Sequence, residues 1–311
     1  MTQAKTQPPL VEHMAIAVTC FDAGNKKIPL AEISQEWASL AKRVRVYVVT
    51  NNPENSDIRE FVSKNSNLDI VVATPNLIGH PYLYTWIHRE LFRRDFEEGA
   101  VSHFLYLEDD IRFGRDNLEY FLENEEALGK FGLFPGFLRY EVDDAGTQFA
   151  TDVLRPESVQ LLPRVIKNSR YLFLNLRNPY QGMYLMSRSL FTEFVASDAF
   201  TPDEGRWGIR ERAAAGLTFE KVPQDCFSRN FVGYVLGEGF DSRCMIHHVS
   251  NRYAKDKGSR WASIPVSQVI ESETSSRQRR FQEFRSGFRF RINKQALRKK
   301  PVWEVDQTAG V

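Results

Sequence analysis

The strongest constraint on this chain is an alternation of short apolar runs with helix-patterned segments through residues 15–107. Ala15-Ile16-Ala17-Val18-Thr19 has the continuous apolar character of a strand buried on both faces. Leu30 to Ala41 is patterned as a helix. Val44 to Val49 follows as a second strand, closing on Thr50-Asn51-Asn52-Pro53. Asp57 to Lys64 suits a short helix and Leu68 to Val72 a third strand. A long helix is expected over 81–98, ended by Gly99. Beyond it His103-Phe104-Leu105-Tyr106-Leu107 runs straight into Glu108-Asp109-Asp110. This β-α-β-α-β-α-β order predicts an α/β fold with a Rossmann-like, mainly parallel central sheet flanked by helices. Ligands of such sheets sit beyond the carboxyl ends of the strands, which is where the acidic triplet falls.

The second half is less regular. Asn117 to Leu128 is helix-like, Gly132 to Leu138 is broken by Gly and Pro, and 141–170 reads as strands and loops. Gln181 to Met186 is a strand leading to a helix near Ser189–Ser197, and Gly205 to Gly216 is rich in glycine. Cys244 to His248 closes the globular part. With no repeat and no linker before about 265, the expectation is one domain over 1–265 and an extension over 266–311. At 42% apolar and 26% charged residues, the chain is too hydrophobic for a disordered segment and too aperiodic for a coiled coil.

Three cysteines, Cys20, Cys226 and Cys244, form no CxxC pair, which argues against a disulfide framework or a zinc knuckle. Residues 1–13 lack the apolar stretch of a secretory signal, and no apolar window of 18 residues exists. The expected location is cytoplasmic, with room for a peripheral place on the inner face of a membrane. Forty-one basic against 40 acidic residues give a net charge of +1, which speaks against a nucleic-acid partner. That neutrality is uneven. Residues 271–300 carry ten basic side chains and three acidic ones, a local net charge of +7. Phe281, Phe284 and Phe288 share one helical face there, and the basic residues around them suit an anionic membrane surface over 277–300. The same face could instead pack on the main domain.

Three carboxylates directly after a strand repel one another unless a cation or donors compensate them. Mg²⁺ or Mn²⁺ takes carboxylate oxygens and keeps phosphates in its shell, so the triplet is a candidate metal and donor site. In an extended segment Glu108 and Asp110 would point the same way. A solvated turn or a helix N-cap would account for the triplet equally.

In this context the chain resembles the GT-A fold of nucleotide-sugar glycosyltransferases, over roughly residues 13–250. The resemblance rests on Glu108-Asp109-Asp110 standing as a DxD-type motif. It implies that Asp110 ligates the metal on the donor diphosphate, while Glu108, with Asp109 beside it, contacts the donor. Arg89, 19 residues before Glu108, matches a basic donor-binding position, although Arg93 and Arg94 lie close by. Trp207-Gly208-Ile209-Arg210-Glu211 resembles the segment that supplies the catalytic base of inverting members, which makes Glu211 that base. Asp203 and Glu204 compete for the role. Ile246-His247-His248-Val249-Ser250 resembles the late segment that completes the metal site through one histidine, His247 or His248. Thr19, Asp22 and Asn51 fall at the strand tips that meet nucleobase and ribose in this fold.

The implied activity is metal-dependent sugar transfer from a UDP- or GDP-sugar to a saccharide or lipid-linked saccharide, with Mn²⁺ or Mg²⁺ as cofactor. A nucleotidyltransferase that makes the activated sugar shares the same half-fold. Phe21 to Lys27 only faintly matches the glycine-rich basic loop it requires. A non-catalytic carbohydrate-binding protein or scaffold is the rival from another class.

Overall fold

The run Met14–Cys20 is apolar on both sides of its pleat, so it can be stable only between two covering layers. In the computed structural model it is the end of β1, Val11–Cys20, and every residue from Met14 to Cys20 is buried. The structure describes residues 8–24, 27–76, 81–178, 180–202, 208–256, 258–271 and 300–305. They divide into two compact units. The first unit takes 1–120, 180–220 and 246–250, and the second takes 121–179, 221–245 and 251–311.

The first unit is built on a five-stranded sheet. β1 lies at its centre, with β2, Ala41–Thr50, and then β3, Asp69–Ala73, on one side. β4, His103–Glu108, lies on the other side and is followed by an edge strand, Met183–Ser187. Strands β1 to β4 are parallel and the edge strand is antiparallel to β4. The expected α/β class and mainly parallel sheet are therefore present. Strand order reverses between β1 and β4, and Thr19 pairs with Glu108 there in register. A reversal of this kind, at the carboxyl ends of the two strands, is where such sheets usually have their ligand crevice.

Two helices are shorter than their sequence pattern predicts. Leu30 to Ala41 forms two single turns, Leu30–Ile33 and Trp37–Leu40, and Ala41 already belongs to β2. Burial of Leu30, Ile33, Trp37 and Leu40 satisfies the helical spacing without a continuous helix. Residues 81–98 split into a 3₁₀ turn, Pro81–Trp86, and an α-helix, His88–Glu98, which stops at Gly99 with φ of 83°. The left-handed conformation at that position is the reason for glycine.

The second unit is mostly antiparallel. Gly239–Phe240, Asn230–Val235, Tyr171–Leu174, Arg164–Ile166 and Val302–Glu304 follow in that order across one sheet, the last pair being parallel. Ile270 forms a bridge with Glu157. The residues on both sides of the basic segment are thus strand-paired within this unit, whereas the sequence reading set 266–311 apart as an extension. Arg277 to Lys299, with their proposed amphipathic face, lie outside the described residues. No helix among the described residues is long and apolar enough to cross a membrane.

Candidate active site

Where β4 ends, the chain turns: Asp109 and Asp110 form a turn and Ile111-Arg112 resumes a short strand, β5. This turn separates two carboxylates that an extended backbone would have put on one side. Glu108 and Asp110 consequently have different partners.

Glu108 is held from two directions. Its backbone N–H donates to the Gly182 carbonyl at 2.9 Å, and the Tyr180 hydroxyl donates to its Oε1 at 2.8 Å. Gly182 has φ of 68°, and a Cβ built on it would lie 3.0 Å from Glu108 Oε2. Only glycine combines that backbone with so close an approach to the carboxylate. Arg210 Nε stands 3.6 Å from Glu108 Oε1, and Arg210 Nη2 donates to Glu211 Oε1 at 3.0 Å. Burial acts to lower the Arg210 pKa, but Glu108, Tyr180 and Glu211 together outweigh it and raise it. One guanidinium therefore lies between the two acids assigned to donor contact and proton transfer. Glu211 lies in the first turn of the helix Ile209–Ala215 and folds back over Gly208, where an added Cβ would meet its Oε2 at 2.3 Å.

Asp110 faces His248. The imidazole Nε2 lies 2.9 Å from Asp110 Oδ2, and Ser250 Oγ approaches the same nitrogen at 3.2 Å. The Val249 N–H donates to the Asp110 carbonyl at 2.9 Å, which ties the two segments together. His248 lies opposite Ile111 and His247 opposite Arg112 in the strand pairing. Since neighbouring strand side chains alternate, His248 is the one that meets Asp110. Asp109, Asp110 and His248 are all buried. Among the described residues no group of three His, Cys, Asp or Glu converges as a metal cage. Asp110 Oδ2 and His248 Nε2 form a pair of donors, one hard oxygen and one imidazole nitrogen.

Arg89 does not reach this crevice. It is 2% exposed, and its Nη1 donates to the Ala199 carbonyl. Nη2 donates to the carbonyls of Ala213 at 3.2 Å and Arg212 at 3.4 Å. The guanidinium sits 3.7 Å from the Trp86 ring centre and 4.9 Å from that of Phe194. Burial lowers its pKa to about 10. With its fork committed to main-chain carbonyls, Arg89 is not a donor-binding residue in this structure. It grips the helix that carries Arg210 and Glu211, and Trp86 assists by donating Nε1–H to the Ile209 carbonyl at 2.8 Å.

Asn51 is similarly committed. Its Oδ1 accepts the Asp22 N–H at 2.7 Å and its Nδ2 donates to the Asp22 carbonyl at 2.9 Å. The Asp22 carboxylate accepts from Asn55, Gly24 and Asn52, which lower its pKa. Together these bonds clasp the tips of β1 and β2, with Asn51 holding the Asp22 backbone through both of its amide atoms. Thr19 stands at the crevice beside Glu108, and its hydroxyl is buried without a well-formed hydrogen bond among the described residues. Trp207, Asp203 and Glu204 lie outside the described residues.

Two contacts were not expected from the sequence: that of Tyr180 with Glu108 and, in the interior beside Arg89, those of the buried His88. His88 Nδ1 contacts the Thr85 carbonyl at 2.7 Å, so it carries the proton. Its Nε2 then accepts from the Tyr184 hydroxyl at 2.7 Å. Its ring stacks on Tyr106 at 3.9 Å, and burial followed by the charge of Arg89 drives its pKa well down. A Tyr or His with no motif around it gives no signal of such long-range pairing.

The chain matches no protein-family model and no curated protein sequence. Its functional reading rests on the site.

Proposed function

We propose that this chain is a metal-dependent glycosyltransferase of the GT-A type, moving a sugar from a UDP- or GDP-sugar to a saccharide or lipid-linked saccharide. The observation that carries this reading is the 2.9 Å approach of His248 to Asp110, two residues beyond Glu108, the last residue of β4. A hard carboxylate oxygen and an imidazole nitrogen suit Mn²⁺, and Mg²⁺ less well. Two protein donors leave room for phosphate oxygens and water around such an ion. When bound, it would offset the charge of the departing diphosphate.

The remaining chemistry belongs to the chain's own groups. Glu211 would accept the proton of the acceptor hydroxyl as that oxygen bonds to the anomeric carbon. The bond from that carbon to the diphosphate oxygen breaks, with inversion if attack comes from the opposite face. Glu108, oriented by Tyr180 and Gly182, would take hydroxyls of the donor. Arg210 keeps the two carboxylates compatible at close quarters.

A thermal-shift panel of UDP- and GDP-sugars with and without Mn²⁺ tests the reading, since a ligand of the native state raises its stability. Stabilisation that requires nucleotide and Mn²⁺ together, and disappears in Asp110→Ala, is expected. No metal-dependent shift with any nucleotide overturns it. Turnover of a nucleoside triphosphate with a sugar phosphate would move the assignment to a nucleotidyltransferase. The anionic-surface role of 277–300 is a separate proposal, carried by the sequence alone. Sedimentation of the chain with phosphatidylserine vesicles, weakened by salt, would support it.

A further inference from the structure

Arg210 has donor capacity that the described residues do not use. Its Nη2 is engaged by Glu211, yet its Nε is buried and makes no hydrogen bond among the described residues. The Glu108 oxygen nearest that Nε is 3.6 Å away, too far for a hydrogen bond. Tyr82, 48% exposed, places its ring centre 5.8 Å from the guanidinium carbon. An unused N–H, a carboxylate oxygen and an exposed aromatic ring thus share one edge of the crevice.

The chemistry of these groups selects their ligand. A carboxylate or phosphate would suit Arg210 but would be repelled by Glu108 and Glu211. A cation would suit the acids but would be repelled by Arg210. A neutral hydroxyl donates and accepts at once, so it can take the Nε–H and give its own proton to Glu108. The C–H groups beside such a hydroxyl can rest against the aromatic face, whose quadrupole is negative. Sugars present this combination of vicinal O–H and C–H groups.

We propose that Arg210 is a specificity-determining residue that binds a hydroxyl of a neutral saccharide jointly with Glu108, over Tyr82, and discriminates against uronic acids. The ligand being a sugar rests on the glycosyltransferase reading; the preference for a neutral one comes from the charges around Arg210.

Saturation-transfer NMR on the full chain tests this, with glucose, galactose, mannose and glucuronate as the probes. At least one neutral hexose should show saturated ring protons, with glucuronate weaker by about tenfold or more, as expected where a buried polar group loses its match. Arg210→Met should remove the hexose signal. Arg210→Lys, which keeps the charge and loses the Nε donor, should also weaken it, with circular dichroism of both variants unchanged. Tyr82→Ala should reduce it independently. Glucuronate signals equal to those of the hexoses, or hexose signals that survive both Arg210 variants, overturn the proposal. So does the absence of any hexose signal in a protein that still binds nucleotide with Mn²⁺. Hexose signals that depend on Arg210 in a protein that ignores nucleotide and Mn²⁺ would leave this inference standing and remove the transferase reading.

Discussion

Arg89 and Arg210 belong to the same unit and act on the same helix, Ile209–Ala215, from opposite sides of its chemistry. Arg89 lies buried between Trp86 and Phe194 and donates to carbonyls. Arg210 is partly exposed and lies between carboxylates. A guanidinium enclosed by carbonyls and rings is structural, because water can no longer replace any partner it loses. A guanidinium at a rim between two acids is available to a ligand. Residue type alone says nothing of this difference; the partners decide it.

The largest effect should come from Arg89. Arg89→Ala leaves three carbonyls and a cavity in the interior, and a loss of about 3–5 kcal/mol is expected. Urea unfolding measures it, and a loss below about 1 kcal/mol would put the grip on the helix elsewhere. Acid should act on the same interior. His88 is held well below its ordinary pKa by burial, and His103 is lowered to about 4 by burial. Both bind protons more readily when unfolded, so their contribution to stability is complete above about pH 6.5. It falls as pH drops from there toward their folded values, by up to about 1.4 kcal/mol per pH unit for each. His103→Asn should make that slope shallower, and an unchanged slope would remove His103 from the account.

Gly182→Ala comes next. Its positive φ and the 3.0 Å approach to Glu108 together predict a loss of about 1–2 kcal/mol. A weakened ligand response should accompany it, because the Glu108 carboxylate must move. Smallest in stability is Arg210→Met, for which a loss of about 0.5–1 kcal/mol is expected because Glu108 and Glu211 lose the cation between them at a partly exposed place. Its effect belongs in the sugar-binding measurement. If Arg210→Met destabilised the fold as much as Arg89→Ala, the contrast between the two arginines would fail.

The parts legible in the sequence are those set by neighbours along the chain. The apolar runs of β1, β2 and β4 place the strands, and the triplet after Leu107 marks the crevice, because periodicity and local repulsion act over a few residues. Register between distant segments was not legible. Which of two adjacent histidines meets Asp110 depends on a strand pairing about 140 residues away in sequence, formed by Ile111 with His248. Arg89 looked like a donor contact because its position in the chain matched one, while its environment is built from Ala199, Arg212 and Ala213. The division into two interleaved units was hidden for the same reason, since each crosses the chain three times.

The return of Val302–Glu304 to the second unit's sheet has a consequence for covalent integrity. Trp303 packs near Phe131 and Phe231, and Val302–Glu304 pairs with Arg164–Ile166. A protease that cuts once between 272 and 299 would therefore break the polypeptide without breaking the sheet. The short C-terminal fragment should co-elute with the body on a sizing column and separate only in denaturant, behaving as a non-covalent subunit made from one chain.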